Sequence, residues 1–223
     1  MRAKALISWS SGKDSAWALH VLRQRGDLEI VGLLTTVNEV ADRVAMHAVR
    51  SELLRAQAAA AGLPLHAVGI PSPCSNEQYE AAMGAAVERA RRDGITVIAF
   101  GDLFLEDIRR YRVEKLAGTG IEPIFPIWGI PTEQLARDMI AGGLKARLTC
   151  VDPKQLAPSF VGREFDQALL AELPPGVDCC GERGEFHSFA YAGPMFEREL
   201  AIRSGEVVTR DGFVFADLLP GRV

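Results

Sequence analysis

Between residues 4 and 101, short and continuously apolar runs alternate with longer amphipathic ones. This alternation restricts the fold more than any other feature of the chain. Residues 4–9 (KALISW), 30–36 (IVGLLTT), 65–70 (LHAVGI) and 96–101 (TVIAFG) read as strands. Runs such as LISW, IVGLL and VIAF are apolar throughout, which suits parallel strands buried on both faces. Residues 13–25, 45–61 and 76–92 carry helical spacing instead. Trp17, Leu19 and Leu22 fall on or near the apolar face of the first helix. Gly26 and Asp27 stop that helix, Gly62 and Pro64 end the second, and Ser75 or Asn76 can cap the third. Strands and helices of these lengths form βαβ units, so the class is α/β with a mostly parallel sheet and helices on both faces.

The pattern changes after about residue 120. EPIFPIWGIP (122–131) holds three prolines and a glycine and reads as a linker or lining loop. A helix at 132–142 and a strand at 145–151 follow, and PPG at 174–176 is a second break. Near the end, VVTRDGFVFADL reads as a hairpin turning at Asp211-Gly212. Two parts are expected: a nucleotide-binding domain over 1–125, and a smaller mixed α+β lobe over 126–223 that binds the second substrate.

Chemistry enters first at WSSGKDS, residues 9–15. It follows the first strand and opens the first helix. Ligands of open parallel sheets bind beyond the carboxyl ends of the strands. Small residues let the backbone approach an anion, and the free N–H groups and dipole of a helix start favour one. Ser10, Ser11, Gly12, Lys13, Asp14 and Ser15 are therefore the candidate phosphate contacts. Lys13 supplies a positive charge, and Asp14 can cap the helix or orient a metal-bound water. The plain alternative is a small-residue cap on an ordinary helix.

Other candidates share that sheet edge. Thr35 ends the second strand, His47 begins the second helix, and Gly101-Asp102 ends the fourth strand. In EDIRRYRVEK (106–115), Arg110 and Arg112 either clamp a phosphate or carboxylate or belong to a solvated, salt-bridged face. CCGERGEFHS (179–188) brings Glu182, Gly184, Glu185 and His187 into a glycine-rich turn. Two carboxylates and an imidazole suit acid–base work or metal ligation, though the spacing matches no standard zinc motif. A charged turn before a strand is the alternative.

A formal net charge of −4 without a long basic tract offers nothing for general nucleic-acid or membrane binding. No apolar run approaches a membrane span, and the one near Met1 is shorter than a signal peptide needs. The cysteines Cys74, Cys150, Cys179 and Cys180 form no C-x-x-C pair, and thiols in a reducing cytosol are expected. The expected location is cytoplasmic.

WSSGKDS, VAMH (44–47), GDLFLEDIRRYRVE (101–114), FPIWG (125–129) and CGERGEFHSF (180–189) together resemble the diphthine–ammonia ligase family of PP-loop ATPases. The first motif resembles the family's S-G-G-x-D-S loop with Ser11 in place of the first glycine. The resemblance spans about residues 5–190 and implies a Rossmann-like, adenine nucleotide alpha hydrolase-like fold. It implies that residues 10–15 hold the phosphates of ATP, accompanied by Mg²⁺. It also implies that the smaller lobe carries the acceptor, with Glu182, Glu185 and His187 at matching positions. Characterised members use ammonia to convert diphthine on elongation factor 2 to diphthamide, releasing AMP and pyrophosphate.

The expected reaction is adenylation of an acceptor carboxylate, then transfer to ammonia or an amine. Lys13, Glu182, Glu185 and His187 are the expected catalytic residues. Arg110, Arg112 and Gly184 are expected at the acceptor, and Asp14 at the metal. The acceptor itself is unknown, nucleic acid is not expected as a partner, and a homodimer is plausible at this size. Two other readings stand beside this one: a PP-loop enzyme modifying tRNA, and an adenine-nucleotide sensor without turnover.

Overall fold

The computed structural model describes residues 2–38, 43–44 and 49–221, with backbone alone at 43–44. The chain opens with β1 (Ala3–Ser8), α1 (Lys13–Arg25), β2 (Leu28–Asn38) and a short β3 (Arg43–Val44). It continues through α2 (Ser51–Ala60), β4 (Leu65–Ile70), α3 (Asn76–Arg92), β5 (Ile95–Ala99), α4 (Glu106–Leu116) and β6 (Glu122–Ile124). β1 pairs in parallel with β2 and β5, β2 with β4, and β5 with β6, while β3 runs antiparallel to the end of β2. The parallel strands therefore lie in the order β4-β2-β1-β5-β6. The chain moves outward from β1 on one side, then returns to build the other side. The carboxyl ends of β1 and β5 thus flank the point where strand order reverses, the usual ligand crevice of such sheets.

Local signals set most of these boundaries. α1 covers the expected residues and stops at Gly26, whose φ of 64° suits glycine, with its N–H on the Leu22 carbonyl. α3 starts in a capping box, in which the Ser75 hydroxyl accepts from Gln78 N and the Gln78 side chain accepts from Ser75 N. α2 differs from expectation: it begins at Ser51, and Val44 lies in a strand. The Met46-His47 pair falls outside the described residues.

The stretch 122–131 also differs. Its first three residues are β6, the edge strand of the sheet, where Pro123 is tolerated because one side has no partner to bond. After it come α5 (Thr132–Ala141), β7 (Lys145–Val151), a 3₁₀ turn at Pro158–Phe160 and α6 (Gln167–Glu172). α6 has six residues, too few for helical periodicity to show in sequence. β8 (Phe186–Ala192), β9 (Ile202–Arg210) and β10 (Phe213–Pro220) complete an antiparallel sheet in the order β8-β7-β10-β9. The β9–β10 hairpin turns at Asp211 (φ 52°) and Gly212 (φ 83°), the paired positive angles of a type I′ turn.

One core joins the two sheets. Ile7, Leu19, Leu22, Leu33 and Leu53 share it with Leu135 and Met139 of α5 and with Leu148, Phe186 and Phe189 of the second sheet. Each such side chain contributes about 2 kcal/mol by leaving water. α1 touches both sheets, so even Lys13 and Ser15 at its start are buried. The other face of the parallel sheet has its own cluster, where Leu6, Leu34 and Ile98 meet Ala86 and Ala90 of α3 and Leu116 of α4.

Candidate active site

At the end of β1 the chain must turn sharply into α1. Ser11 makes that turn at φ 68°, in the left-handed region, while fully buried. Its carbonyl accepts from Ala190 N (3.0 Å) and from Gln57 Nε2 (2.9 Å). Its hydroxyl has no hydrogen-bond partner among the described residues. Around it, Ser10 Oγ lies 3.2 Å from Ser15 Oγ and accepts from Gly12 N, and Ser15 Oγ donates to the Gly12 carbonyl. Gly12 is the N-cap of α1 and brings no side chain; its N–H and that of Lys13 go to the hydroxyls of Ser10 and Ser188 at the positive end of the helix dipole, where an anion is favoured. A left-handed non-glycine residue costs about 1–2 kcal/mol. Ser11→Gly should therefore raise unfolding stability by about 1 kcal/mol. A urea melt of the variant that matched or fell below wild type would remove the strain from this account.

Lys13 does not line the cleft beside this loop. Its ammonium is 2% exposed and turns toward the second sheet. It donates to both carboxylate oxygens of Asp14 (3.0 and 2.8 Å) and to the carbonyl of Cys180, and lies 5.5 Å from the ring centres of Phe165 and Phe186. Burial is the largest single influence and opposes its charge, but Asp14, Cys180 and Glu182 together outweigh it, so Lys13 titrates above its ordinary value. Its backbone N–H donates to Ser188 Oγ at 3.2 Å. The start of α1 is thus tied to β8 by backbone and to the 178–185 loop by side chain.

That loop is organised by carboxylates. Asp178 accepts from Thr132 Oγ1, Cys180 N and Glu182 N. Both oxygens of Glu185 accept backbone N–H groups, from Asp178 (2.9 Å) and Arg183 (3.0 Å), and Glu185 is 2% exposed. Its carboxylate braces its own loop. Gly181 takes φ 69° and could carry no side chain, because a Cβ would meet the Phe186 carbonyl at 2.7 Å. Gly184 (φ 88°) faces open space, which fits a turn residue.

Glu182 differs from Glu185. One oxygen accepts from Leu103 N at 2.8 Å, next to Asp102, which lies in the loop after β5 and not at the strand end expected from the sequence. Burial and the nearby charges of Asp14 and Asp102 push its carboxyl up to about 7, against the pull of the Leu103 N–H and Lys13. His187 sits on β8 opposite Cys150. Burial and the neighbouring ammonium of Lys13 hold its imidazole down to about 4, so it is neutral near pH 7.

Across the strand ends lies a cleft of about 940 Å³, at the upper end of the ~300–1,000 Å³ range of small-molecule sites. Ser8, Trp9, Ser10, Thr35 and Phe100 form its sheet side, and Met83 of α3 and Arg112 of α4 its walls. The Thr35 hydroxyl is buried without a partner among the described residues. Arg112 Nε stands 3.5 Å from an Asp102 oxygen, and burial raises the Asp102 carboxyl despite that neighbour. Arg110 is exposed, whereas Arg109 lies over Trp128 (4.7 Å) and Phe125 (5.4 Å). Gly101 serves packing: a Cβ there would come within 2.9 Å of the backbone of Asp14 and Ser15.

Sequence reasoning missed Gln57, Asp178 and Ser188. Gln57 carried one faint signal, an isolated amide within the alanine-rich run AQAAAA. No signal set Asp178 apart from other loop carboxylates, and Ser188 lay inside a quoted motif without a role.

Fold and site define a class: an α/β protein whose serine-rich loop between β1 and α1 packs against a second, antiparallel sheet. Residues 1–120 match the diphthamide synthase N-terminal domain and residues 131–216 the diphthamide synthase C-terminal domain. The chain belongs to the diphthamide synthase family. It is 28% identical over 241 residues to the diphthine–ammonia ligase of Homo sapiens, covering 97% of this chain and 88% of that protein. The diphthine–ammonia ligase of Danio rerio is likewise 28% identical over 242 residues, covering 97% and 92%. The match to the Schizosaccharomyces pombe diphthine–ammonia ligase, also 28%, covers 47% of this chain and 18% of that one.

Proposed function

We propose that the protein is an ATP-dependent, amide-forming ligase that adenylates an acceptor carboxylate and passes the acyl group to ammonia. One observation carries this reading most. The buried ammonium of Lys13 is shared between Asp14 of the phosphate loop and the Cys180 carbonyl of the second sheet's loop. A nucleotide at the loop and an acceptor at the 178–188 segment would then meet at one charge. The names of the human and zebrafish relatives, diphthine–ammonia ligase, support the same chemistry.

In this reading residues 1–125 bind ATP and residues 126–223 hold the acceptor. The nucleoside lies in the cleft against Thr35, and the phosphates meet the α1 start at residues 10–15. The acceptor carboxylate attacks the α-phosphorus and pyrophosphate leaves. Ammonia then attacks the acyl-adenylate, AMP leaves, and the extra proton passes to a carboxylate. Glu182 is the group for that step, because it titrates near 7 and faces the same junction, whereas Glu185 is occupied and His187 is weakly basic. Arg112, on the cleft wall, is a cation available to the bound substrates.

Mg²⁺ is part of the proposal. Among the described residues no group of three or more His, Cys, Asp or Glu is arranged for a metal. Asp14, one-quarter exposed, is the carboxylate of the loop, and its oxygens already accept from Lys13. This set suits an ion that brings phosphate and water oxygens with it. When bound, Mg²⁺ would neutralise charge on the leaving pyrophosphate.

The test is ³¹P NMR of the protein with ATP, Mg²⁺ and ammonium, with and without a metabolite extract. AMP and pyrophosphate, increased by the extract, are expected; ADP and phosphate would overturn the mechanism. A second check uses Thr35→Val, which removes an unpaired hydroxyl without changing shape. It should leave stability unchanged or slightly higher and weaken ATP binding by about threefold to tenfold. Unchanged ATP affinity in equilibrium dialysis would move the nucleoside away from Thr35.

A further inference from the structure

We infer that Gln57 is a positioning residue for the phosphate loop: it holds Ser11 in its left-handed conformation and so sets the direction of the N–H groups that open α1. The inference rests on the reading of residues 10–15 as the ATP phosphate site.

Gln57 lies in α2 and is fully buried. Its carbonyl oxygen accepts from Trp9 Nε1 at 3.0 Å. Its amide nitrogen donates to the Ser11 carbonyl at 2.9 Å and to the Ala190 carbonyl at 2.6 Å. The orientation of the amide is forced. Turned over, it would set an N–H₂ against the indole N–H and an oxygen against two carbonyls. A buried amide is tolerated only when its bonds are made, and this one makes three.

The partners are informative. Trp9 directly follows β1, Ser11 makes the strained turn, and Ala190 belongs to β8 of the second sheet. Ala190 N also donates to the Ser11 carbonyl, so that one oxygen is held from two separate elements. Its peptide plane is therefore fixed, and the orientation of the next N–H, that of Gly12, follows. The left-handed angle at Ser11 has no glycine to ease it, so bonds from outside the loop must hold it. Gln57 supplies one of those bonds and joins the other donor strand to the same point. It acts on the phosphates through Ser11, and it also holds the Trp9 indole at the edge of the cleft.

The experiment measures ATP binding by equilibrium dialysis with MgCl₂ present, alongside urea melts. Gln57→Met should weaken ATP affinity about tenfold. Adding Ser11→Gly, which adopts the angle unaided, should return most of that loss. Gln57→Glu keeps the Trp9 bond and serves as the test if Gln57→Met does not fold. Its carboxyl, when protonated, still donates to one carbonyl; when ionised, it faces two carbonyl oxygens. Its ATP affinity should therefore fall with rising pH more steeply than that of wild type.

If wild type binds ATP and the Gln57 variants bind it equally, with the same pH profile, the inference fails and the ATP reading stands. If Ser11→Gly restores stability but not affinity, Gln57 serves general packing and the inference fails too. Absence of ATP binding by wild type would overturn the underlying reading itself.

Discussion

Lys13→Met is expected to cost about 3 kcal/mol of stability and to abolish AMP formation. The ammonium is 2% exposed and answers the Asp14 carboxylate and the Cys180 carbonyl together. Methionine fills similar volume but leaves the Asp14 carboxylate uncompensated near Asp178 and Glu182. Removing one partner of a buried pair is costly because the other stays charged. The double variant Lys13→Met, Asp14→Asn should recover part of the stability, because no orphan charge remains, and none of the turnover. Urea denaturation and AMP release measure the two effects separately. A single variant as stable as wild type would show that the pair contributes nothing net, and retained turnover would remove Lys13 from the chemistry.

Glu182→Gln is expected to slow amide formation by about 10²–10⁴-fold at pH 8 while ATP still binds. Its carboxyl titrates at about 7, raised by burial and by the charges of Asp14 and Asp102. Wild-type rate should climb through that pH as the base ionises, and the variant should show a flat, low profile. Stability gives an independent sign. A carboxyl raised in the folded state binds its proton more tightly there than in the unfolded chain. Its contribution is fully present below the unfolded value and is lost as pH rises through about 7. Glutamine imitates the neutral form and keeps the Leu103 N–H bond. The variant should therefore match wild type near pH 4 and exceed it at pH 8. An unchanged rate profile together with an unchanged stability difference would assign the titration to another group.

Local chemistry made much of this protein legible in its residues. The apolar runs marked the parallel strands, because strands buried on both faces need no polar alternation. Gly26, the Ser75–Gln78 box and Asp211-Gly212 marked ends and turns, because each satisfies a backbone need within a few residues. The 9–15 loop was legible for the same reason, as strand, small residues and helix start follow one another. Glu182 and Arg112 were named from the sequence as catalytic and acceptor-binding candidates, but their surroundings, the Leu103 N–H and the Asp102 carboxylate, were not legible there. The first helix turn of α2 was not, and neither was the short α6.

What the chain determined by itself was therefore the sheet, the loop that turns from β1 into α1, and the residue types that can meet phosphate. Tertiary structure decided which of them share a site. Ser188 reaches Lys13 across 175 positions, and Gln57 reaches Ala190 across 133. Only the packing of the second sheet on α1 creates such contacts, because periodicity reports on neighbours along a helix or strand and not on distant faces. The same packing chose between two glutamates of one turn. Both oxygens of Glu185 are taken by backbone N–H groups of its own loop, whereas Glu182 is half-buried, accepts one N–H from Leu103 and lies near the negative charges of Asp14 and Asp102.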